Sequence, residues 1–320
     1  MSSKKVMFLI LLLCFALLVL SGCNNKSEKS SSEFESLKLG VLSLEDILPM
    51  VVANEKGYFA QEGLRVELIP FQSAIESQTA IQSGQIDGMM TDLIVAALLK
   101  DSSTDLKVTS VTLEATDTMR RFAIIVPKQS KIKTLDELVG KELGISFNSV
   151  IEYVSDGILK EAGINPKDVE KIAIPKIPVR LEMLLNNKIA AANLPDPLAE
   201  FAELNGCRVI ADDLGHDFSQ AVLVMTDKTL INKKSTLVKF YQVYAETIKE
   251  INKAPQNYKE LMISNISIPE PMVAQYRVPN FPLPKLPNPE EIAGVLEWLR
   301  EKDMISEKIT YEAFVEKGLY

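Results

Sequence analysis

The chain has 320 residues, of which 47% are hydrophobic and 24% charged, and its formal net charge is −8. That length exceeds one typical core and predicts two lobes, while the acidic balance makes nucleic acid a poor partner. A single histidine and three cysteines leave no material for a Cys/His zinc site, and the absence of G-x-S-x-G, G-x-G-x-x-G and Walker A patterns removes the usual signs of a hydrolase triad or a bound nucleotide. No catalytic residue, metal or cofactor is therefore expected.

Lys4 and Lys5 precede fifteen uncharged apolar residues, 6–20. A membrane-spanning helix needs about 20, so this run fits the core of a secretory leader. It ends in Leu20-Ser21-Gly22-Cys23, which resembles a bacterial lipobox. The resemblance implies cleavage before Cys23 and lipidation of its sulfur. Each buried CH₂ adds roughly 0.8 kcal/mol, so two or three chains on one cysteine anchor firmly where one does not. The alternative is an uncleaved anchor with an incidental cysteine; both place the folded part outside the cytoplasm. Residues 1–22 are read as the leader and 23–36, rich in Ser and charge, as a flexible tether. Cys14 leaves with the leader and Cys23 is lipidated, so Cys207 has no partner for a disulfide and reads as a small buried hydrophobe.

Beyond the tether, short apolar runs alternate with helical patterns. Strands are predicted over 37–42, 64–71, 86–90 and 107–113, with helices over 47–56, 74–82 and 93–100 between them. A second series follows: strands over 121–126, 142–146, 169–174, 189–194 and 208–211, and helices over 134–139, 150–162, 179–186 and 197–204. Thr134 and Glu137 have the spacing of a capping box. The alternation predicts two α/β units built on parallel sheets. Residues 220–226 read as one more strand, after which the chain is mostly helical, over 235–252, 255–264, 270–276, 290–302 and 311–317. The segment 279–289 holds five prolines and must run extended over a surface. Such a tail predicts that the chain returns to the first lobe, giving lobes of 37–118 plus 221–320 and of 119–220, joined by hinge crossings near 117–121 and 216–220. Two open sheets joined in this way place a ligand in the cleft outside their strand ends.

Ala53–Leu68 reads AlaAsnGluLysGlyTyrPheAlaGlnGluGlyLeuArgValGluLeu. It resembles the A-x-x-x-G-Y-F-x-x-E-G-L-x-V-E signature of solute-binding proteins of nitrate, sulfonate, taurine and thiamine-precursor ABC importers. Ser83-Gly84-Gln85-Ile86-Asp87, Ile132-Lys133-Thr134-Leu135-Asp136-Glu137-Leu138-Val139-Gly140-Lys141 and Ala162-Gly163-Ile164 with Asp168-Val169 follow in the family's order. Leu194-Pro195-Asp196-Pro197 stands where the family has Glu-Pro. Together these cover about residues 37–230. The resemblance implies a two-lobed type II periplasmic-binding-protein fold: α/β, parallel-rich sheets with flanking helices and two hinge crossings. It also implies capture of a small polar solute, a sulfonate- or nitrate-like oxyanion or a nitrogen-heterocycle precursor, by a membrane-anchored monomer that delivers it to a permease without chemistry. Relatives of the same fold include enzymes of pyrimidine and menaquinone precursor metabolism, but those lack a lipobox, and the pyrimidine enzymes use a histidine and a Cys-rich motif that this chain lacks. A subunit feeding a membrane sensor is the other alternative.

Cleft contacts belong to loops that follow strands. In the first lobe these are Ser43 and Asp46, Ser73, and Thr91 with Asp92; in the second they are Ser146, Asn148 and Ser149, then Asp196. Several also suit helix caps, and both roles stay open for them. Arg180 is expected to be exposed. The acids Glu45 and Asp46 depart from what a free oxyanion would favour. They are either solvated at a helix start or, if one faces the cleft, a sign that the ligand carries an amine, an amidine-like edge or a cationic ring.

Overall fold

The computed structural model describes residues 34–216, 220–266, 268, 270–274, 276–306 and 309–320; the leader, Cys23 and most of the tether lie outside them. Residues Glu35–Tyr320 form one compact unit containing two five-stranded sheets. The first is built from β1 (Glu35–Leu42), β2 (Leu64–Phe71), β3 (Gly88–Asp92), β4 (Leu106–Glu114) and β10 (Gln220–Thr226), in the order β2-β1-β3-β10-β4. The second holds β5 (Phe122–Val126), β6 (Glu142–Ile145), β7 (Glu170–Ala173), β8 (Ala191–Pro195) and β9 (Arg208–Asp212), in the order β7-β6-β8-β5-β9. Each sheet with its flanking helices is a lobe. The chain crosses between lobes after β4 and again after β9, as the two-lobed expectation requires.

The sheets are parallel-rich, as expected, with one reversed strand in each. β5 is antiparallel to β8 and β9, and β10 is antiparallel to β3 and β4, so both sheets are mixed. These strands enter directly from the opposite lobe, without the crossover helix that parallel pairing demands.

Both faces of each sheet are covered, and strand periodicity decides which side chain goes where. On β10, Leu223 and Met225 join one core while Val222 and Val224 join the core on the other face. On β5, Ile124 and Val126 alternate in the same way with Ala123 and Ile125. Helices α1 (Leu48–Glu55) and α7 (Lys234–Lys253) fill one face of the first sheet, where Phe59 stacks on Phe240 with ring centroids 5.3 Å apart. Helices α3 (Leu93–Asp101) and α8 (Pro289–Glu301) fill the other. Burying each such side chain contributes roughly 1.5–3 kcal/mol. Gly57 ends α1 at φ 70°, a conformation glycine adopts without steric cost. The Thr134/Glu137 box does not form: the helical turn there is Asp136–Leu138, without a side-chain cap, and Glu137 instead accepts the Lys133 amide. The proline-rich segment runs irregularly past β4, where the Val111 amide donates to the Lys285 carbonyl at 2.7 Å. Cys207 is buried with no disulfide, among Ala123, Ile125 and their neighbours.

Candidate functional site

A chamber of about 80 Å³ lies between the lobes, lined by residues at the carboxyl ends of β1, β3, β4 and β8 and at the entering ends of β5 and β10. Two of its walls are loops that follow strands in the first lobe. Beyond β1, Leu44 bonds back to Leu42 at 2.8 Å and the chain winds into one turn, Glu45–Ile47. That turn carries both acids inward, leaving Glu45 5% and Asp46 8% exposed. The solvated reading of this pair is therefore overturned. Glu45 pairs with the Arg121 guanidinium and accepts the Tyr276 hydroxyl at 2.7 Å. Asp46 faces the chamber, and its Oδ1 is enclosed with no hydrogen-bond partner. Burial pushes its carboxyl up to about 6, against the pull of Arg121.

The second wall is the end of β3. Asp92 caps helix α3 through Oδ1, which accepts the Val95 amide at 2.8 Å. Its Oδ2 accepts the Val150 amide at 3.1 Å from the opposite lobe, where helix α4 (Val150–Glu161) begins. Burial pushes this carboxyl up to about 6 as well. Next to it, Thr91 Oγ1 is enclosed without a partner and also lines the chamber. Asp46, Thr91 and Asp92 are thus brought together, amid apolar side chains such as Leu42, Met90 and Phe122.

The remaining predicted residues lie elsewhere around the cleft. Ser43 is exposed and lines an adjoining cavity of about 340 Å³ with Phe71, Gln72 and Ile177. Leu42 and Leu44 line both cavities. Ser73 caps helix α2 (Ala74–Gln82) by accepting the Glu76 amide at 3.4 Å. In the turn before α4, Ser149 Oγ donates to the Ser146 carbonyl at 2.8 Å, and the Asn148 amide, at φ 58°, donates to Glu152 at 2.9 Å. Their neighbour Val150 reaches the chamber, as Pro195 does beside Asp196. Asp196 itself takes the Arg120 guanidinium at 2.9 Å and the Glu200 amide at 3.1 Å.

Sequence reasoning missed Arg121, the one cation among the described residues that line the chamber. The adjacent pair Arg120-Arg121 at the first crossing was the available signal. Arg180, expected at the surface, is fully enclosed and donates to the Ile174 carbonyl at 2.7 Å, while its Nε and Nη2 are unpartnered. Helix α5 (Ile177–Leu185) turns positions 177, 180, 181 and 184 toward the core, the i, i+3, i+4, i+7 face. A wider groove of about 410 Å³ runs over Tyr153 and Glu291, between α3 and α8 of the first lobe and α4 of the second. Its lining is mostly helical, so the strand-end chamber is the better candidate.

A model of the family described as NMT1/THI5 like matches residues 45–258. A putative ABC transporter periplasmic binding protein of Brachyspira hyodysenteriae is 20% identical over 268 residues, covering 79% of this chain and 75% of its own length. The periplasmic aliphatic sulphonate binding protein SsuA of Escherichia coli superposes with a TM-score of 0.72 at 18% identity, over 88% of this chain and 97% of that one. The desulfurization enzyme DSZB superposes with a TM-score of 0.64 at 14% identity, over 89% and 97%. The fold therefore serves both binding proteins and an enzyme, and the choice rests on the site.

Proposed function

The chain belongs to the NMT1/THI5-like family, and from that premise we propose that it is the solute-binding subunit of an ABC importer. It is held at the outer face of the cell membrane by lipid on Cys23 and acts as a monomer. A small polar solute, either a sulfonate- or nitrate-like oxyanion or a nitrogen-heterocycle precursor, is captured between lobes 37–118 plus 221–320 and 119–220, which close about the two crossings. The closed form then docks on the permease, and no bond in the solute is broken. Asp46 and Thr91 hold the solute, Asp92 lines the chamber beside them while tying the lobes through the Val150 amide, and Ser43 lies at the mouth.

The observation that carries this reading is the enclosed chamber at the strand ends of both lobes, with polar atoms of Asp46 and Thr91 left unpaired inside it. Buried polar groups are nearly always paired, so a bound partner completes them. The test is to purify the chain from its own cells, unfold it and identify released small molecules by mass spectrometry. After refolding, the identified solute at a hundred times its dissociation constant stabilises the chain by about 2.7 kcal/mol. A folded chain that releases nothing, and that no sulfonate, oxyanion or nitrogen heterocycle stabilises, overturns the proposal.

A further inference from the structure

The chamber's charge is not what an anion requires. Three carboxylates, those of Glu45, Asp46 and Asp92, are buried in or beside it. One guanidinium, that of Arg121, lines it, and that group is already engaged by Glu45. Asp92 spends both oxygens on backbone amides. Asp46 Oδ1 and Thr91 Oγ1 remain, buried and unpartnered. A carboxylate offers only acceptor capacity and a hydroxyl can complete itself by accepting or donating. An oxyanion placed here would meet an acceptor it cannot bond and a net negative wall, while desolvation strengthens the repulsion.

We propose that the solute is a donor: a small molecule whose ammonium, amidinium or amino-heterocycle N–H edge bonds to Asp46 Oδ1 and Thr91 Oγ1, which makes Asp46 the residue that selects for donors and against free oxyanions. The inference rests on the capture reading above and narrows its solute class. Size fits the same arrangement. About 80 Å³ accommodates a polar head only, and the adjoining cavity of about 340 Å³, sharing Leu42 and Leu44 with the chamber, takes the rest of the molecule against Phe71 and Leu181. The solute is thus a donor head on a mainly apolar or planar body.

Matched probes of equal shape and opposite charge test this: acetamidine and benzamidine against acetate and benzoate, with benzenesulfonate added, titrated calorimetrically into the refolded full chain in mild detergent. The amidines bind at least tenfold more tightly than their carboxylate counterparts. Asp46→Asn, which keeps the side chain's shape, weakens amidine binding about 30- to 100-fold, as loss of a hydrogen bond to a charged group does. Thr91→Val, which removes the hydroxyl alone, weakens it about fivefold, and supplies the test if Asp46→Asn fails to fold. Preference for the carboxylates or the sulfonate overturns the donor inference and leaves capture standing. Amidine binding untouched by both substitutions overturns the assignment to Asp46 and Thr91. Binding of neither class by the folded chain overturns both the inference and the capture reading.

Discussion

Asp46 is held in a state that costs the free protein stability. Its ordinary carboxyl value is 3.8, and burial, opposed by Arg121 and reinforced by Glu45, lifts it to about 6. The groups that face it are Glu45, Arg121 and the hydroxyl of Tyr244, which is itself enclosed without a partner. Because the folded value lies above the unfolded one, the native state binds more protons between about pH 4 and pH 6. Stability from this group is therefore present below pH 4 and lost as the pH rises through 6. A rise from 3.8 to about 6 amounts to roughly 3 kcal/mol at neutral pH. Asp46→Asn should raise the thermal midpoint of the ligand-free chain at pH 7 and remove this carboxyl's share of the fall between pH 4 and pH 6, leaving the share of Asp92, which burial raises to the same value. A midpoint that drops at pH 7 would mean that the carboxylate has a stabilising partner, contrary to the unpaired Oδ1. Stability gained together with binding lost is the signature of a residue retained for its ligand.

At the scale of elements, glycine marks where backbones approach. Gly88 opens β3, and a Cβ there would collide with the Val224 carbonyl oxygen and with Met225 on β10. Backbone cannot step aside as a flexible side chain can, so Gly88→Ala should cost about 2–3 kcal/mol by loosening the pairing that returns the chain to its first lobe. Gly57→Ala, at φ 70° with open space around the new atom, should cost only about 1 kcal/mol. Denaturant midpoints at constant slope check both, and equal losses would mean that crowding at Gly88 is relieved. The extent of β2 and α2 is legible because alternation and a cap are local: strand 64–71 and helix 74–82 have the same bounds in sequence and structure. The direction of β5 and β10 is not, since it depends on where a neighbouring strand arrives. Likewise the two acids after β1 are visible as a departure, but their burial depends on Tyr276, 231 positions away, and on Arg121, 76 away. The position of Arg180 on an inward helix face is legible in principle; its charge argues for the surface and its periodicity for the core, and periodicity wins.

At the scale of the molecule, the lobes are joined away from the crossings by polar contacts that involve no solute. Helix α4 of the second lobe meets α8 of the first: Lys302, just past α8, pairs with Glu152 and reaches Asp156 at 3.2 Å. Trp298 donates its indole N–H to the same Asp156 oxygen at 3.2 Å, and the Lys302 ammonium lies 4.6 Å from the Trp298 ring centroid. Glu152 and Asp156 are 2% and 4% exposed, so this latch is shielded from salt as a surface pair is not. Toward the mouth of the cleft, Lys176 and Glu76 pair at 3.0 Å, both partly exposed and worth little. Removing the Lys302 ammonium leaves Asp156 with Lys171 and the Trp298 indole, and Glu152 with the Asn148 amide. Lys302 is itself partly exposed, so the loss is about 1.5–3 kcal/mol, as for a hydrogen bond to a charged group. Set against an equilibrium between closed and open forms, even about 1.5 kcal/mol changes the ratio by roughly tenfold. Lys302→Met keeps the stem that packs on Trp298 and deletes the charge, so the ligand-free chain should open. Spin labels at the exposed positions 75 and 179, on opposite lobes, should report a longer mean distance in Lys302→Met than in the parent. Saturating solute should shorten it again, because the chamber contacts at Asp46 and Thr91 remain intact. An unchanged distance in the variant would move the energy of closure from the latch to the Asp92–Val150 bond and the Glu45–Arg121 pair beside the chamber.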